Sequence, residues 1–254
     1  MTIQESLKNW AKDAVDVFNP LSQTTSTQFY LQSPLDQITA PVDTLVLGIN
    51  PGSNGERSIL SPEQFLEGNK NWEERFPSTE EGTHVSPKWA KYFGNGHFML
   101  CGDQDRHNNS IDDNKKTVWS NLTPFATPEA SKLSKDHLIN GVPVTVELIQ
   151  ILNPKRIILL TTEGFDYIEK YANTNIERRP LVKDVTTNKI IEIGTIAGIP
   201  TIQLPHPSGN WGFPKHFLPM IVQLHKLHAV DEEIKPIEEV ATKIKNQLRR
   251  IAVI

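Results

Sequence analysis

The feature that most narrows the fold is a set of short, continuously apolar runs, each cut off by loop-forming residues. Arg156-Ile157-Ile158-Leu159-Leu160 is the plainest, and Thr44-Leu45-Val46-Leu47 and Pro200-Thr201-Ile202-Gln203-Leu204 are shorter versions. A strand wetted on one face alternates apolar and polar residues, whereas one covered on both faces is apolar throughout. Segments with helical periodicity stand between these runs. Strands alternating with helices predict a three-layer α/β/α fold with a mainly parallel central sheet. Such sheets bind ligands outside the carboxyl ends of their strands, so the loops after the apolar runs are where chemistry is expected.

The spacing of Leu7, Trp10, Ala11, Ala14, Val15 and Phe18 predicts an amphipathic helix over 6–18, stopped by Asn19-Pro20. Ser22 to Thr39 reads as a loop or short helix. Ser61-Pro62-Glu63-Gln64 carries the serine cap and first-turn proline of a helix start. Val118 to Leu122 predicts a strand end leading into Thr123-Pro124-Phe125. Helices are predicted over Val144–Leu152, closed by Asn153-Pro154, and over Glu163–Tyr171. Ile190 to Ile196 alternates, as an edge or half-exposed strand does. Pro214 opens a helix with Phe217, Met220, Ile221, Leu224 and Leu227 on one face, and a charged helix over 232–251 carries Ile234, Ile237, Val240, Ile244 and Leu248 as its stripe. Ser53 to Lys116 is irregular, and Asp103 to Lys116 reads as an exposed loop. No repeat or linker divides the chain. It reads as one domain over 1–254, with a core of about 40–228 and the helices at 6–18 and 232–251 as appendages.

Composition limits the function classes. With 254 residues, 37% of them hydrophobic, the chain can bury a sizeable core; a mean hydropathy of −0.38 points to a polar surface. No run approaches the roughly 18 apolar residues of a membrane span. Met1 to Glu5 lacks the basic-then-apolar pattern of a signal peptide, so a soluble, cytoplasmic protein is expected. The lone Cys101 excludes an internal disulfide and an all-cysteine metal or iron–sulfur site within one chain, and reads as a small buried hydrophobe. His84, His97 and His107 lack ligand spacing, so neither a metal nor another cofactor is expected. A formal net charge of −4 opposes avid phosphate-driven binding. Any nucleic-acid contact must be local, with a small footprint, made by backbone amides, helix N-termini or a limited basic patch.

Two loops stand out. Gly48-Ile49-Asn50-Pro51-Gly52 follows the first apolar run: glycine permits unusual dihedrals and close ligand approach, and proline stiffens the turn. His206-Pro207-Ser208-Gly209 follows the last run. Either alone is ordinary turn chemistry. Together, in this order and each after a strand, they resemble the two signature motifs of the uracil-DNA glycosylase superfamily. The first is similar to that of the mismatch-specific (thymine/uracil) branch, the second to that of the single-strand-selective monofunctional branch. Trp119-Ser120-Asn121-Leu122-Thr123-Pro124, between them, is similar to the strand end that supplies the uracil-reading asparagine. The resemblance spans roughly Thr44 to Leu227.

The resemblance implies a uracil-DNA glycosylase-like fold and a DNA-repair hydrolase that cleaves the N-glycosidic bond of uracil, or a related damaged pyrimidine, flipped out of DNA. Asn50 and His206 would be catalytic. Uracil departs as an anion, and His206 would donate a hydrogen bond that strengthens as charge develops on O2. Asn50 is not basic near neutral pH, and would orient water through its amide oxygen. Asn121 would donate to uracil O4 and accept from N3–H. Gly48, Ile49, Pro51 and Gly52 would line the pocket, and Ser208 and Gly209 would grip a phosphate. Asn210 or Trp211 would wedge into the vacated stack, although Trp211 can equally be a packing aromatic beside Phe213. Phe98 is the stacking ring of choice, with Tyr92 and Phe93 as rivals. Lys215, Arg57, Lys88 and Lys91 are either a basic rim or, the blander reading, solvated surface charge. The first motif lacks the aspartate of the fastest members, which implies slower chemistry, and the stretch from Glu56 to Lys116 is an insertion relative to compact members. Two other readings stay open. One is a protein on the same fold that binds a nucleobase, nucleotide or nucleic acid without cleaving it. The other is a protein-partner module with a vestigial pocket.

Overall fold

The computed structural model of the chain describes residues 1–36, 38–52, 59–69, 117–184, 190–204 and 251–253. Within them lie helices α1 (Ile3–Thr25), α2 (Pro62–Leu66), α3 (Lys135–Leu152) and α4 (Gly164–Tyr171). The strands are β1 (Thr44–Gly48), β2 (Thr117–Asn121), β3 (Arg156–Leu160), β4 (Ile176–Asp184), β5 (Ile190–Ile196), β6 (Ile199–Leu204) and β7 (Ile251–Val253). They form one mixed sheet of order β2-β1-β3-β6-β5-β4-β7, an α/β architecture. The β2-β1-β3-β6 ladders are parallel, and the β6-β5-β4-β7 ladders are antiparallel. The apolar runs became β1, β3 and β6, whose inner residues are buried on both faces of the sheet.

β1 pairs with β2 on one side and β3 on the other. The chain therefore reverses its direction of travel across the sheet between β1 and β3, which is the topological switch point where open α/β sheets bind ligands. One face is packed by α1, α3 and α4 through a continuous core holding Phe18, Leu45, Leu47, Phe125, Ile157, Leu159 and Phe165.

Several expectations are corrected. The N-terminal helix does not stop at Asn19-Pro20 and is no appendage: it runs through Pro20 to Thr25, and its inner face belongs to the main core. An interior proline costs a helix about 3 kcal/mol. Here the contacts past it offset that cost. Asn19 exchanges two hydrogen bonds with the Leu60 backbone (3.0 and 2.9 Å), Leu21 packs on the core and Ser22 is fully buried. Phe18 sits beside Phe29, Phe65 and Phe125 with ring centroids 5.5, 5.9 and 5.1 Å away. Helix α3 begins at Lys135 rather than Val144, and carries Pro143 inside it. Ile190–Ile196 alternates in burial as a half-exposed strand does; of the two readings only the edge is overturned, since β5 lies inside the sheet between β6 and β4. β4, with its register shift after Pro180, was not anticipated. The helices expected after Pro214 and over 232–251 fall outside the described residues, except Ile251, which opens β7. Among the described residues, no helix is long and apolar enough to cross a membrane.

α3 is started by a reciprocal cap between Ser134 and His137. His137 Nδ1 accepts from the Ser134 N–H at 3.2 Å, and Nε2 lies 3.1 Å from Thr25 Oγ1. The Thr25 hydroxyl already donates to Leu21 O at 2.8 Å, so it accepts from His137, which fixes the neutral Nε2–H tautomer. The ring stacks on Phe125 at 4.5 Å. Burial holds its pKa below the ordinary histidine value, against a smaller upward pull from Asp136. A histidine whose folded pKa is depressed takes up protons more readily when unfolded. Stability is therefore lost as pH falls below about 6.5. We predict that thermal denaturation between about pH 7 and about pH 5 will show a falling Tm. His137→Gln, which preserves the reciprocal cap, flattens that fall. An equal slope in both proteins would contradict the assignment.

Candidate functional site at the carboxyl edge of the sheet

The parallel β1–β2 ladder sets Gly48 directly opposite Asn121. Both side-chain positions point to the face away from α1 and α3, since Leu45, Leu47 and Val118 belong to the helix-covered core and residues alternate along a strand. The Asn121 side chain lies across Gly48: a Cβ added there would stand 2.8 Å from Asn121 Oδ1. Neither Gly48 nor Gly52 has a positive φ. The glycine of the first motif therefore serves the approach of Asn121, not an unusual backbone dihedral. Asn121 is 5% exposed, and among the described residues its Nδ2 is buried without a hydrogen-bond partner. A buried donor in that state costs about 1–3 kcal/mol. Such a group in a native fold calls for an explanation.

The ladder continues past the strand ends. Leu122 N donates to Gly48 O at 2.8 Å, and Thr123 N to Ile49 O at 3.1 Å. The two loops are thus clamped side by side. α3 closes onto them from below: a Cβ at Gly141 would collide with Thr123, whose hydroxyl donates to His137 O at 3.1 Å. Asn50 then reaches across to the turn after β2. Its Nδ2 donates to Thr127 O and to Thr127 Oγ1, each at 2.9 Å, and more weakly to Pro51 O at 3.2 Å. A carbonyl oxygen only accepts, so the atom facing it is the amide nitrogen, and Oδ1 turns the other way.

Across the switch point, the loop after β3 is tied down by Gln203 of β6. Gln203 is fully buried. Its Oε1 accepts from Phe165 N at 2.9 Å, at the start of α4. Its Nε2 donates to Glu192 at 2.6 Å and to Thr162 O at 3.4 Å. Burial raises the Glu192 pKa, and Arg178, 3.6 Å away, pulls it back. This arrangement holds the sheet to α4; no titratable side chain hydrogen-bonds Asn50 or Asn121 among the described residues. Nor is any group of three or more His, Cys, Asp or Glu there placed to hold a metal ion.

The structure thus brings Gly48, Ile49, Asn50, Pro51 and Asn121 together at one edge. Gly52 follows them, exposed, with no atom of the described residues within 4 Å of its Cβ position. His206, Ser208, Gly209, Asn210, Trp211 and Phe98 lie outside the described residues, as do the rim candidates Arg57, Lys88, Lys91 and Lys215. β6 ends at Leu204 beside Leu160 of β3, at this same edge, two positions before His206 in sequence. Thr127 and Gln203 were missed by sequence reasoning. The available signals were a second Thr-Pro step soon after Thr123-Pro124, and a lone amide inside an apolar strand. No protein-family model matches the chain, and no curated protein matches it in sequence.

The Gly48–Asn121 packing is testable by a double-mutant cycle. Gly48→Ala forces a short, buried side chain to move, a change that costs roughly 1–3 kcal/mol. Gly52→Ala meets nothing and should be neutral. In an Asn121→Ala background the Gly48→Ala cost should largely vanish; strict additivity of the two would show that they do not touch.

Proposed function

We propose that the chain is a monofunctional DNA glycosylase of the uracil-DNA glycosylase type, acting on uracil or a related damaged pyrimidine held out of the base stack. The observation that carries this reading is the Asn121 amide: desolvated, without a partner for Nδ2 among the described residues, and seated beside Gly48 at the carboxyl edge of the sheet. A uracil edge offers O4 to that donor and N3–H to the amide oxygen. A rigid, nearly dry amide distinguishes uracil from cytosine because cytosine carries a donor where uracil carries an acceptor. Asn50, with its nitrogen held by Thr127, turns its oxygen to the opposite side of the amide, where it would orient water.

In the proposed reaction the C1′–N1 bond breaks first, and the electron pair leaves with the base as an anion. Water held by Asn50 then adds to C1′ and loses its proton to solvent. Charge on the departing base is stabilised by hydrogen-bond donors, which are worth more in a desolvated site than in water. His206 is proposed as the donor to O2, on the strength of its motif and its position in sequence just after β6.

A second reading is favoured by one observation, the formal charge of −4: the site would bind a free base or nucleotide without cleaving anything. The discriminating experiment incubates the protein with oligonucleotides carrying uracil, single-stranded or opposite guanine, and measures abasic sites. We expect slow release, reduced at least about tenfold by each of Asn50→Ala, Asn121→Ala and His206→Ala, a loss of about 1.4 kcal/mol of transition-state stabilisation or more. A wild-type protein that binds uracil yet leaves every glycosidic bond intact would favour the second reading.

A further inference from the structure

We infer that Thr127 is a positioning residue that locks residue 50 as an amide and bars an ionised carboxylate from that place. The Thr127 hydroxyl has one hydrogen, and donates it to Glu129 O at 2.8 Å. Toward Asn50, 2.9 Å away, it therefore acts as an acceptor. The Thr127 carbonyl, also at 2.9 Å, and the Pro51 carbonyl at 3.2 Å can only accept. Three acceptors converge on one atom of side chain 50, and that atom must carry hydrogen. Asparagine meets the requirement. A carboxylate would set a negative oxygen against two carbonyl oxygens that no rotation can turn into donors. Even if the threonine hydroxyl left Glu129 to donate, both carbonyls would remain opposed. The turn that bears Thr127 is rigid: Ala126 N donates to Gln28 O at 2.7 Å, Phe125 is fully buried, and Thr127 itself is 5% exposed.

The lock goes beyond the glycosylase reading and does not depend on it; only its consequence for the reaction does. On that reading, the absence of an acid or base at position 50 is built into the turn after β2. An aspartate in that place would hold its proton to higher pH than an ordinary carboxyl, which opposes general-base chemistry there.

The test uses the full chain and needs no substrate. Tm is measured from about pH 4 to about pH 7 for the wild type, Asn50→Asp and Asn50→Ala. In Asn50→Asp the folded state favours the protonated carboxyl, so its pKa lies above the unfolded value. Stability is then present at low pH and lost as pH rises. The Tm gap between wild type and Asn50→Asp should widen by about 3 °C or more over this range. The gap for Asn50→Ala should stay constant. A constant or narrowing gap for Asn50→Asp overturns the inference. If Asn50→Asp does not fold, hydrogen exchange of the Asn50 side-chain amide decides. In the wild type it should be at least about tenfold slower than that of the exposed Asn153 side chain; equal rates overturn the inference. A wild type with no glycosylase activity would sink the proposed function and leave these outcomes unaffected.

Discussion

The site depends on one close approach, that of the Asn121 side chain across Gly48. It exists because a parallel ladder in the right register places the last residue of β2 opposite the last residue of β1, and because the residue at that point of β1 has no side chain. A slip of one residue would turn Asn121 to the helix-covered face. With any larger residue at 48, Asn121 would have to move. Beside this contact Asn121 Nδ2 is buried without a partner among the described residues, and the functional proposal rests on it.

Rigidity is transmitted to this edge from the core. The aromatic cluster of Phe18, Phe29, Phe65 and Phe125 fixes the turn after β2 from below, and His137 stacks on Phe125 while bonding both α1 and the start of α3. The same turn carries Thr123, which clamps the first loop through Ile49 O, and Thr127, which holds Asn50. α1 is therefore part of the foundation of the site. A site whose polar groups are held by packed, hydrogen-bonded neighbours loses little on meeting a ligand, because its geometry is already set.

What could be read from the sequence follows the strength of the local physics. β1, β3 and β6 were legible because a strand buried on both faces is apolar throughout, and α2 because its serine cap and first-turn proline stand in the sequence. The meeting of the first motif with Asn121 was legible in part because Gly48 and Asn121 each stand at the end of a strand. The misreadings sit where tertiary contacts override a local breaker. Pro20 and Pro143 are both carried inside helices by packing that no nearby residue announces. The alternation of β5 was read correctly, yet a neighbour across the sheet cannot be seen in one strand's pattern. Gly48 was read as serving backbone freedom and close ligand approach; the approach it admits in the fold is that of Asn121, a residue far along the chain. Thr127 escaped for the same reason: its acceptor role emerges only when residues 50, 127 and 129 meet.

The account stands on the Asn121 amide serving as a donor to a planar base edge, and the most direct measurement observes that group itself. In isotope-labelled protein the side-chain amide resonance of Asn121 is followed during titration with free uracil and, separately, with free cytosine; Asn153, exposed at the end of α3, is the reference. The account predicts a saturable shift of the Asn121 signal with uracil, little change with cytosine, and a reference that does not move. An Asn121 signal indifferent to uracil, or equally responsive to both bases, would contradict it.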